Sequence, residues 1–362
     1  MNDLVSIVLA VYNAEAFLKQ GLDSVLNQTH KNIEVIAVDD CSKDNSLGIL
    51  NDYASKDSRV KIIQHDKNQG PGPARNSGIA AATGNYIAFL DPDDLFSPDA
   101  IEKLLSVAKQ YGSDMVKGTS LKMNHSGEIK GLYSKFVPQD PIYNTTILDI
   151  KELWMSTEFW SYLYEKEVLE GITFPEIRLG EDFLFLLESL HKAKKISIIP
   201  DAVHKYRQNP SSLTSVKSNY SDCMDAVNGY RKLFEFLRKA GLEDILEHRL
   251  YYQTKLLMST FVGAASQLSL EECSDIFSVF QDAIIENNLE IIEKSQPHCF
   301  IFICLLLKNG HFETAYLFLK RFNGRYRERY ITNVYKSLAW ESYKIRLRRK
   351  FRKIPLLNRI FE

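Results

Sequence analysis

Three carboxylates fall within four residues at Asp91-Pro92-Asp93-Asp94, directly after the apolar run Tyr86 to Leu90. Side chains at i and i+2 of an extended chain share a face, so Asp91 and Asp93 aim the same way. Carboxylates that close repel, and such a pair persists by holding a divalent cation or a proton. Magnesium or manganese would suit, since both take oxygen ligands and bridge to substrate phosphates. The competing reading is a loop: Asp and Pro form turns, and Ser97-Pro98 starts a helix just beyond. A second pair, Asp39-Asp40, ends another apolar run and leads into Cys41-Ser42, where a capped turn competes with ligand binding. Glu181-Asp182 precedes the apolar Phe183 to Leu187, and suits either a helix N-terminus or proton transfer.

The elements that position these acids alternate. Val5 to Val11, Ile33 to Val38, Arg59 to Gln64, Tyr86 to Leu90 and Met115 to Lys117 are strand-like. Between them, Glu15 to Gln28, Ser46 to Lys56, Pro73 to Ala82 and Pro98 to Tyr111 carry helical signals, with Gly84 and Gly112 as stops. Such alternation predicts an α/β fold, an open and mainly parallel sheet with helices on both faces. Ligands on such sheets bind beyond the carboxyl ends of the strands. Tyr12, Asp39, Asp40, Asn68, Asp91 and Asp93 all belong there. From about 120 to 218 the pattern is irregular and aromatic; after about Tyr220 it is helical. The expected organisation is 1–218, divided into a nucleotide-binding half (1–118) and an acceptor-binding half (119–218), then a helical region 219–342 and a tail 343–362.

The 362 residues are 45% hydrophobic and 25% charged, a soluble globular composition, and the net charge of −1 argues against a general nucleic-acid binder. Five cysteines form no Cys-x-x-Cys, which predicts reduced thiols in a cytoplasmic protein. No signal peptide is visible, and the longest apolar run, Cys299 to Leu307, is too short to span a bilayer.

In order, the segments Leu9-Ala10-Val11-Tyr12-Asn13, Val38-Asp39-Asp40-Cys41-Ser42, Asn68-Gln69-Gly70-Pro71-Gly72-Pro73-Ala74-Arg75-Asn76, Asp91-Pro92-Asp93-Asp94 and Leu179-Gly180-Glu181-Asp182 resemble the family 2 glycosyltransferases of the GT-A fold, over about residues 3–215. The resemblance implies a nucleotide-sugar donor, usually a UDP-sugar, a divalent cation (Mn2+ or Mg2+), and transfer with inversion at the anomeric carbon. It makes Asp93 the direct metal ligand, with Asp91 towards ribose or metal and Asp94 as support. Tyr12 and the backbone of Ala10 and Val11 would hold uracil. Asp40 would accept from the base N–H, and Asn68 and Arg75 would anchor the nucleotide. Asp182 would be the base that deprotonates the acceptor hydroxyl, with Glu181 assisting in acceptor binding. Trp160 resembles the acceptor floor, though a buried Trp also suits a core. Arg207 and Ser212 resemble diphosphate contacts, and His204 would either complete the metal shell or be structural. Three residues depart from the family pattern: Ala10 where Pro is usual, Cys41 where Gly is usual, and Tyr162 where Lys is common. Cys41 cannot adopt φ > 0 as cheaply as Gly. Tyr162 bears on acceptor class.

Gly70-Pro71-Gly72 hints at a dinucleotide fold, but Arg75 stands where its third glycine belongs. An aspartyl-nucleophile phosphatase would share Leu90-Asp91-Pro92-Asp93 only locally. A non-catalytic sugar-nucleotide or glycan binder would have no need for Asp93 or Asp182. The expected activity is therefore a metal-dependent sugar transfer to a bacterial-type surface polysaccharide or glycolipid, with a glycan or lipid-linked acceptor. Lys344 to Arg359 holds eight basic residues and no acid, with Tyr343, Leu347, Phe351 and Ile354 on one helical face. That pattern predicts contact with anionic membrane at the inner leaflet, against packing on the protein or RNA contact.

Overall fold

The computed structural model describes residues 3–177, 180–209, 220–250 and 268–280. Ser212, most of the helical region expected at 219–342 and the basic tail lie outside the described residues. Two compact units divide the chain: Met1–Val216 with Asn228–Ile245, and Lys217–Val227 with Leu246–Glu362.

In the first unit, β1 (Val5–Val11) is buried along almost its whole length, as a strand covered on both faces requires. It pairs in parallel with β2 (Ile33–Asp39), from Val5↔Ile33 to Val11↔Asp39, and β2 pairs in parallel with β3 (Val60–Gln64). Parallel neighbours need crossovers, and α1 (Leu18–Leu26), α2 (Ser46–Lys56) and α3 (Pro71–Ala81) supply them. After α3 the chain returns to the other side of β1 as β4 (Tyr86–Phe89), again parallel. The strand order therefore reverses between β1 and β4. That is the topological switch point, where a crevice opens beyond the strand ends. Val11 and Leu90 deliver Tyr12 and Asp91 to it.

The sheet continues through β5 (Leu95–Phe96), β6 (Met115–Met123), β7 (Ile129–Leu132), β8 (Ile142–Thr145), β9 (Tyr162–Glu165) and β10 (Ile196–Arg207). Its ten strands run β3-β2-β1-β4-β9-β6-β10-β5, with β7 on β6 and β8 on β10. It is a mixed sheet with a parallel core of β1 to β4, flanked also by α4 (Ala100–Tyr111) and α5 (Glu181–Lys192). The region from 119 to 218, irregular by sequence, thus holds much of the second half of the sheet. Pro200 and register shifts between Ile198 and His204 break the alternation of β10, which hides the strand.

One buried acid locks the far end of the parallel core. Glu34 on β2 is 4% exposed and accepts from Ser6 Oγ (2.5 Å), Thr83 N (2.6 Å) and Gly84 N (3.2 Å), and pairs with Lys61 Nζ (2.6 Å). Burial alone would raise its pKa. The bonds from Lys61, Ser6 and Thr83 outweigh this and lower it to about 2.

Also in this unit, the α6 (Tyr220–Lys239) residues Leu233, Phe234 and Leu237 are fully buried, and Tyr230 stacks on Phe183 at 5.0 Å. In the second unit, Cys273, Ile276, Phe277 and Phe280 are the buried face of α7 (Leu270–Phe280). Cys41, Cys223 and Cys273 are free thiols.

Candidate active site

The rim beyond β1 and β2 is built from two laced loops. Val11 O accepts from Asp40 N at 2.8 Å, which keeps the ends of β1 and β2 flush. Asn13 Oδ1 accepts from Lys43 N (2.7 Å), Ser42 Oγ from Asn13 N (3.1 Å), and Asp44 Oδ2 from Glu15 N (2.9 Å). Cys41 sits at φ 63°, the left-handed conformation expected for the glycine usual there. Ala10 is partly covered, Val11 buried, and Tyr12 46% exposed over the crevice.

Asp40 is committed to the protein. Its Oδ1 accepts from Gln69 N (3.0 Å) and pairs with His65 Nδ1 (2.8 Å), while Oδ2 accepts from Gly70 N (2.8 Å). His65 Nε2 in turn meets Ser77 Oγ at 2.9 Å, and Asn68 Nδ2 donates to Asp40 O. The carboxylate expected to read a base therefore braces the loop that leads into α3. Its neighbour Asp39, 1% exposed, accepts from Ser42 N on Oδ2 and has a buried Oδ1 without a partner. Among the described residues at this strand end, Asp39 Oδ1 is the carboxylate oxygen left without a hydrogen bond. Which member of an Asp-Asp pair turns inward depends on loop hydrogen bonds, so the sequence alone could not separate them.

Arg75 joins the two halves. It projects from α3 with 8% side-chain exposure; Nη2 donates to Asp91 Oδ1 (2.9 Å) and Nη1 to Glu181 Oε1 (2.8 Å). Its guanidinium lies 4.5 Å from the Phe159 ring centroid and 5.2 Å from that of Phe174. Two features bring α3 this close to α5. Gly72 has no side chain to strike Pro175 O, which a Cβ would meet at 2.7 Å. Asn76 also exchanges two 2.8 Å bonds with the backbone of Phe174. Arg75, expected to anchor nucleotide, is instead spent between two carboxylates 90 residues apart in the chain.

Asp93 and Asp94 face differently. Asp93 Oδ2 accepts from Asn209 Nδ2 (3.2 Å), and burial, then the charges of Asp94 and Asp91, raise its pKa to about 7. Asp94 is 1% exposed and accepts from Arg207 N (2.7 Å); burial and the Asp91 charge raise its pKa. Arg207 is a strut rather than a free phosphate arm. Its Nε donates to Asp93 O (2.8 Å), Nη1 to His125 O (2.9 Å) and Nη2 to Gln20 Oε1 (2.8 Å), with Phe17 beneath at 4.6 Å. His204 is fully buried with Nε2 3.2 Å from Asp94 Oδ2, and burial lowers its pKa to about 3. Among the described residues no three His, Cys, Asp or Glu side chains are placed to hold one ion, so Asp91, Asp93 and His204 are not a preassembled ligand set.

At the other end of the Arg75 bridge, Gly180 at φ 88° turns the chain into α5, whose first residues are Glu181 and Asp182. Glu181 is 8% exposed, and burial raises its pKa against the pull of Arg75. Asp182 is half-buried and accepts from Phe183 N at 2.8 Å. Burial, then repulsion by Glu181, raises its pKa to about 7 despite Arg75. Trp160 is 7% exposed, stacked on Tyr206 at 5.7 Å and beside Tyr133 and His204, so its faces serve an aromatic core more than an open floor. Its Nε1 is buried without a partner.

The mixed sheet thus carries paired acids at its switch point, and Arg75 ties them to a helix start whose second residue, Asp182, has a pKa raised to about 7, a layout suited to group transfer. The family model for glycosyl transferase family 2 matches residues 6–170. An uncharacterized glycosyltransferase, EpsJ of Bacillus subtilis (strain 168), is 35% identical over 272 residues, covering 72% of this chain and 78% of that one. A poly(ribitol-phosphate) beta-glucosyltransferase of Bacillus spizizenii is 36% identical over 209 residues, 56% of this chain and 32% of that one. The crystal structure of S. aureus TarS 1-349 in complex with UDP superposes with a TM-score of 0.66 at 21% identity, covering 90% of this chain and 93% of that one. The chain belongs to glycosyl transferase family 2 and is a glycosyltransferase.

Proposed function

We propose that the protein transfers a sugar from a UDP-sugar to a hydroxyl of a cell-envelope polysaccharide or glycolipid, with inversion and with a divalent cation. The observation that supports this reading is the Arg75 bridge, which ties Asp91, two residues before Asp93, to Glu181, the neighbour of Asp182. Asp182, with a pKa near 7, is suited to take the acceptor proton as the hydroxyl attacks, because a general base works best near the ambient pH. A single displacement needs one such base and inverts the anomeric centre. Tyr12 and Asp39 would hold the base, and Arg75 would fix Glu181 for acceptor contact.

The acids fit a metal of the magnesium or manganese kind. Asp93 is crowded by Asp91 and Asp94 and has a raised proton affinity, and Asp94 Oδ2 is buried without a hydrogen bond. Such ions take one or two carboxylates and complete their shell with phosphates and water, so no three-residue cluster is required. Asp93, with Asp91, would hold the ion, which when bound would neutralise the diphosphate leaving group. UDP is the ligand of the TarS complex and poly(ribitol-phosphate) names the substrate of one relative, which supports donor and acceptor classes respectively.

A panel of nucleotide-sugars assayed for hydrolysis with manganese or EDTA tests the reading. A UDP-sugar should turn over only with metal, and Asp93→Asn should abolish turnover while leaving the fold intact. Equal rates in manganese and EDTA would overturn the metal assignment. Among the described residues no helix is long and apolar enough to cross a membrane. The basic 343–362 segment would then bring the enzyme to its acceptor at anionic lipid, each cation contributing about 1 kcal/mol near the surface. Co-sedimentation with anionic vesicles of the full chain, but not of a chain ending at Glu341, is the expected result.

A further inference from the structure

A separate cleft of about 290 Å³ opens in the second half of the sheet, between β6, the 132–136 segment and residues 152–158. Three lysines line it: Lys117, Lys122 and Lys135. Lys117 is 2% exposed; its Nζ donates to Gly118 O (3.0 Å) and lies 3.5 Å from Glu158, whose carboxylate also accepts from Ser134 Oγ (2.5 Å). Glu158 thus finds its partners, Lys117 and Ser134, inside the wall. Lys122 is half-buried and Lys135 exposed, and neither has an ion pair or hydrogen bond among the described residues. The remaining charged lining residue, Glu152, is exposed. Two uncommitted cations against one exposed acid leave the cleft with an unmet positive charge, next to the hydroxyl-bearing Tyr133, Ser156 and Thr157.

Tyr133 connects this cleft to the active site. Its ring lies 4.4 Å from Tyr206 and 6.0 Å from Trp160, and Trp160 is 5.8 Å from His204, whose Nε2 lies 3.2 Å from Asp94 Oδ2. Burial raises the Tyr133 pKa, and the charges of Glu158, Asp182 and Asp94 all reach it. We infer that the cleft lined by Lys117, Lys122 and Lys135 is an acceptor subsite for an anionic group, a phosphate ester or a sugar carboxylate. Lysine ammonium groups bind such oxygens as point charges with rotatable donors, without the fixed fork of arginine. The acceptor would lay its anion here and extend its hydroxyl towards Asp182. The placement rests on the transferase reading; binding of the anion does not.

The test is lysine acylation footprinting of the full chain in EDTA at constant ionic strength, with glycerol phosphate, glucuronate or neutral glycerol as probe. At about three times Kd, a bound anion should slow labelling of Lys122 and Lys135 roughly fourfold. Glycerol should not, and Lys43 and Lys67 on the nucleotide side should label unchanged. Protection by phosphate alone assigns a phosphorylated acceptor, and by glucuronate alone an acidic sugar. No protection by either anion, or equal protection of Lys43 and Lys67, overturns the proposal. Lys122→Gln should abolish protection of Lys135 and leave manganese-dependent donor hydrolysis within about twofold of wild type, since water replaces the acceptor there. Absence of hydrolysis in the wild type would refute the transferase chemistry and leave the footprint to stand or fall separately.

Discussion

Arg75→Gln removes the guanidinium that ties Asp91 to Glu181. That group donates at 2.8 Å to Glu181, whose side chain is 11% exposed, and at 2.9 Å to Asp91, whose side chain is 24% exposed. Taking one partner from a buried ion pair costs about 3–5 kcal/mol, because the other charge stays buried without compensation. Asp91 regains some water, so the lower end applies, about 3 kcal/mol at pH near 8. The cost must depend on pH. Burial already raises Glu181 and Asp182, and Arg75 pulls both down, so its loss raises them further. A carboxyl whose folded pKa exceeds its unfolded value destabilises fully above the folded pKa and less as pH falls towards the unfolded one. Urea unfolding followed by tryptophan fluorescence should therefore show a larger penalty at about pH 8 than at about pH 5.5. Donor hydrolysis supplies a second readout, since the acidic limb set near 7 by Asp182 should move upward. Arg75→Lys should recover less than half the loss, as one ammonium cannot fork to both carboxylates. A penalty below about 1 kcal/mol at the higher pH, or one equal at both, refutes the bridge as the organising contact.

Asp182→Asn should keep UDP-sugar affinity and lower turnover by roughly 10²–10⁴; a loss confined to donor affinity would make Asp182 a binding residue and Glu181 the next candidate for base. Position 41 should rank Gly at least as stable as Cys, and Cys above Val by about 1–2 kcal/mol, because φ 63° penalises a branched Cβ; a Val variant as stable as wild type in urea would contradict this. Glu34→Gln should cost about 2–3 kcal/mol at neutral pH. Because its folded pKa of about 2 lies below the ordinary 4.5, that stability is present above 4.5 and lost as pH falls towards 2. A penalty that persists undiminished at about pH 3 would show that packing, not charge, sets the contribution.

The parallel core was legible in the sequence because a strand buried on both faces must be largely apolar, as Val5 to Val11 and Ile33 to Val38 are apart from Ser6 and Glu34, and because acids ending such runs fall beyond the carboxyl ends of the strands. The Asp91–Asp94 cluster and the Glu181-Asp182 pair were local in the same sense. The strands from Met115 onward were less visible, since β10 carries Pro200 and shifts register. What the tertiary structure alone decided was which side chain answers which. Asp40 is consumed by Gln69, Gly70 and His65 while Asp39 keeps a free oxygen, Arg207 spends every nitrogen on the protein, and Arg75 on α3 finds Glu181 on α5. Residue type states what a group can bond; only the distance and direction between segments far apart in the chain determine what it does bond, because a hydrogen bond fails within an ångström or a few tens of degrees.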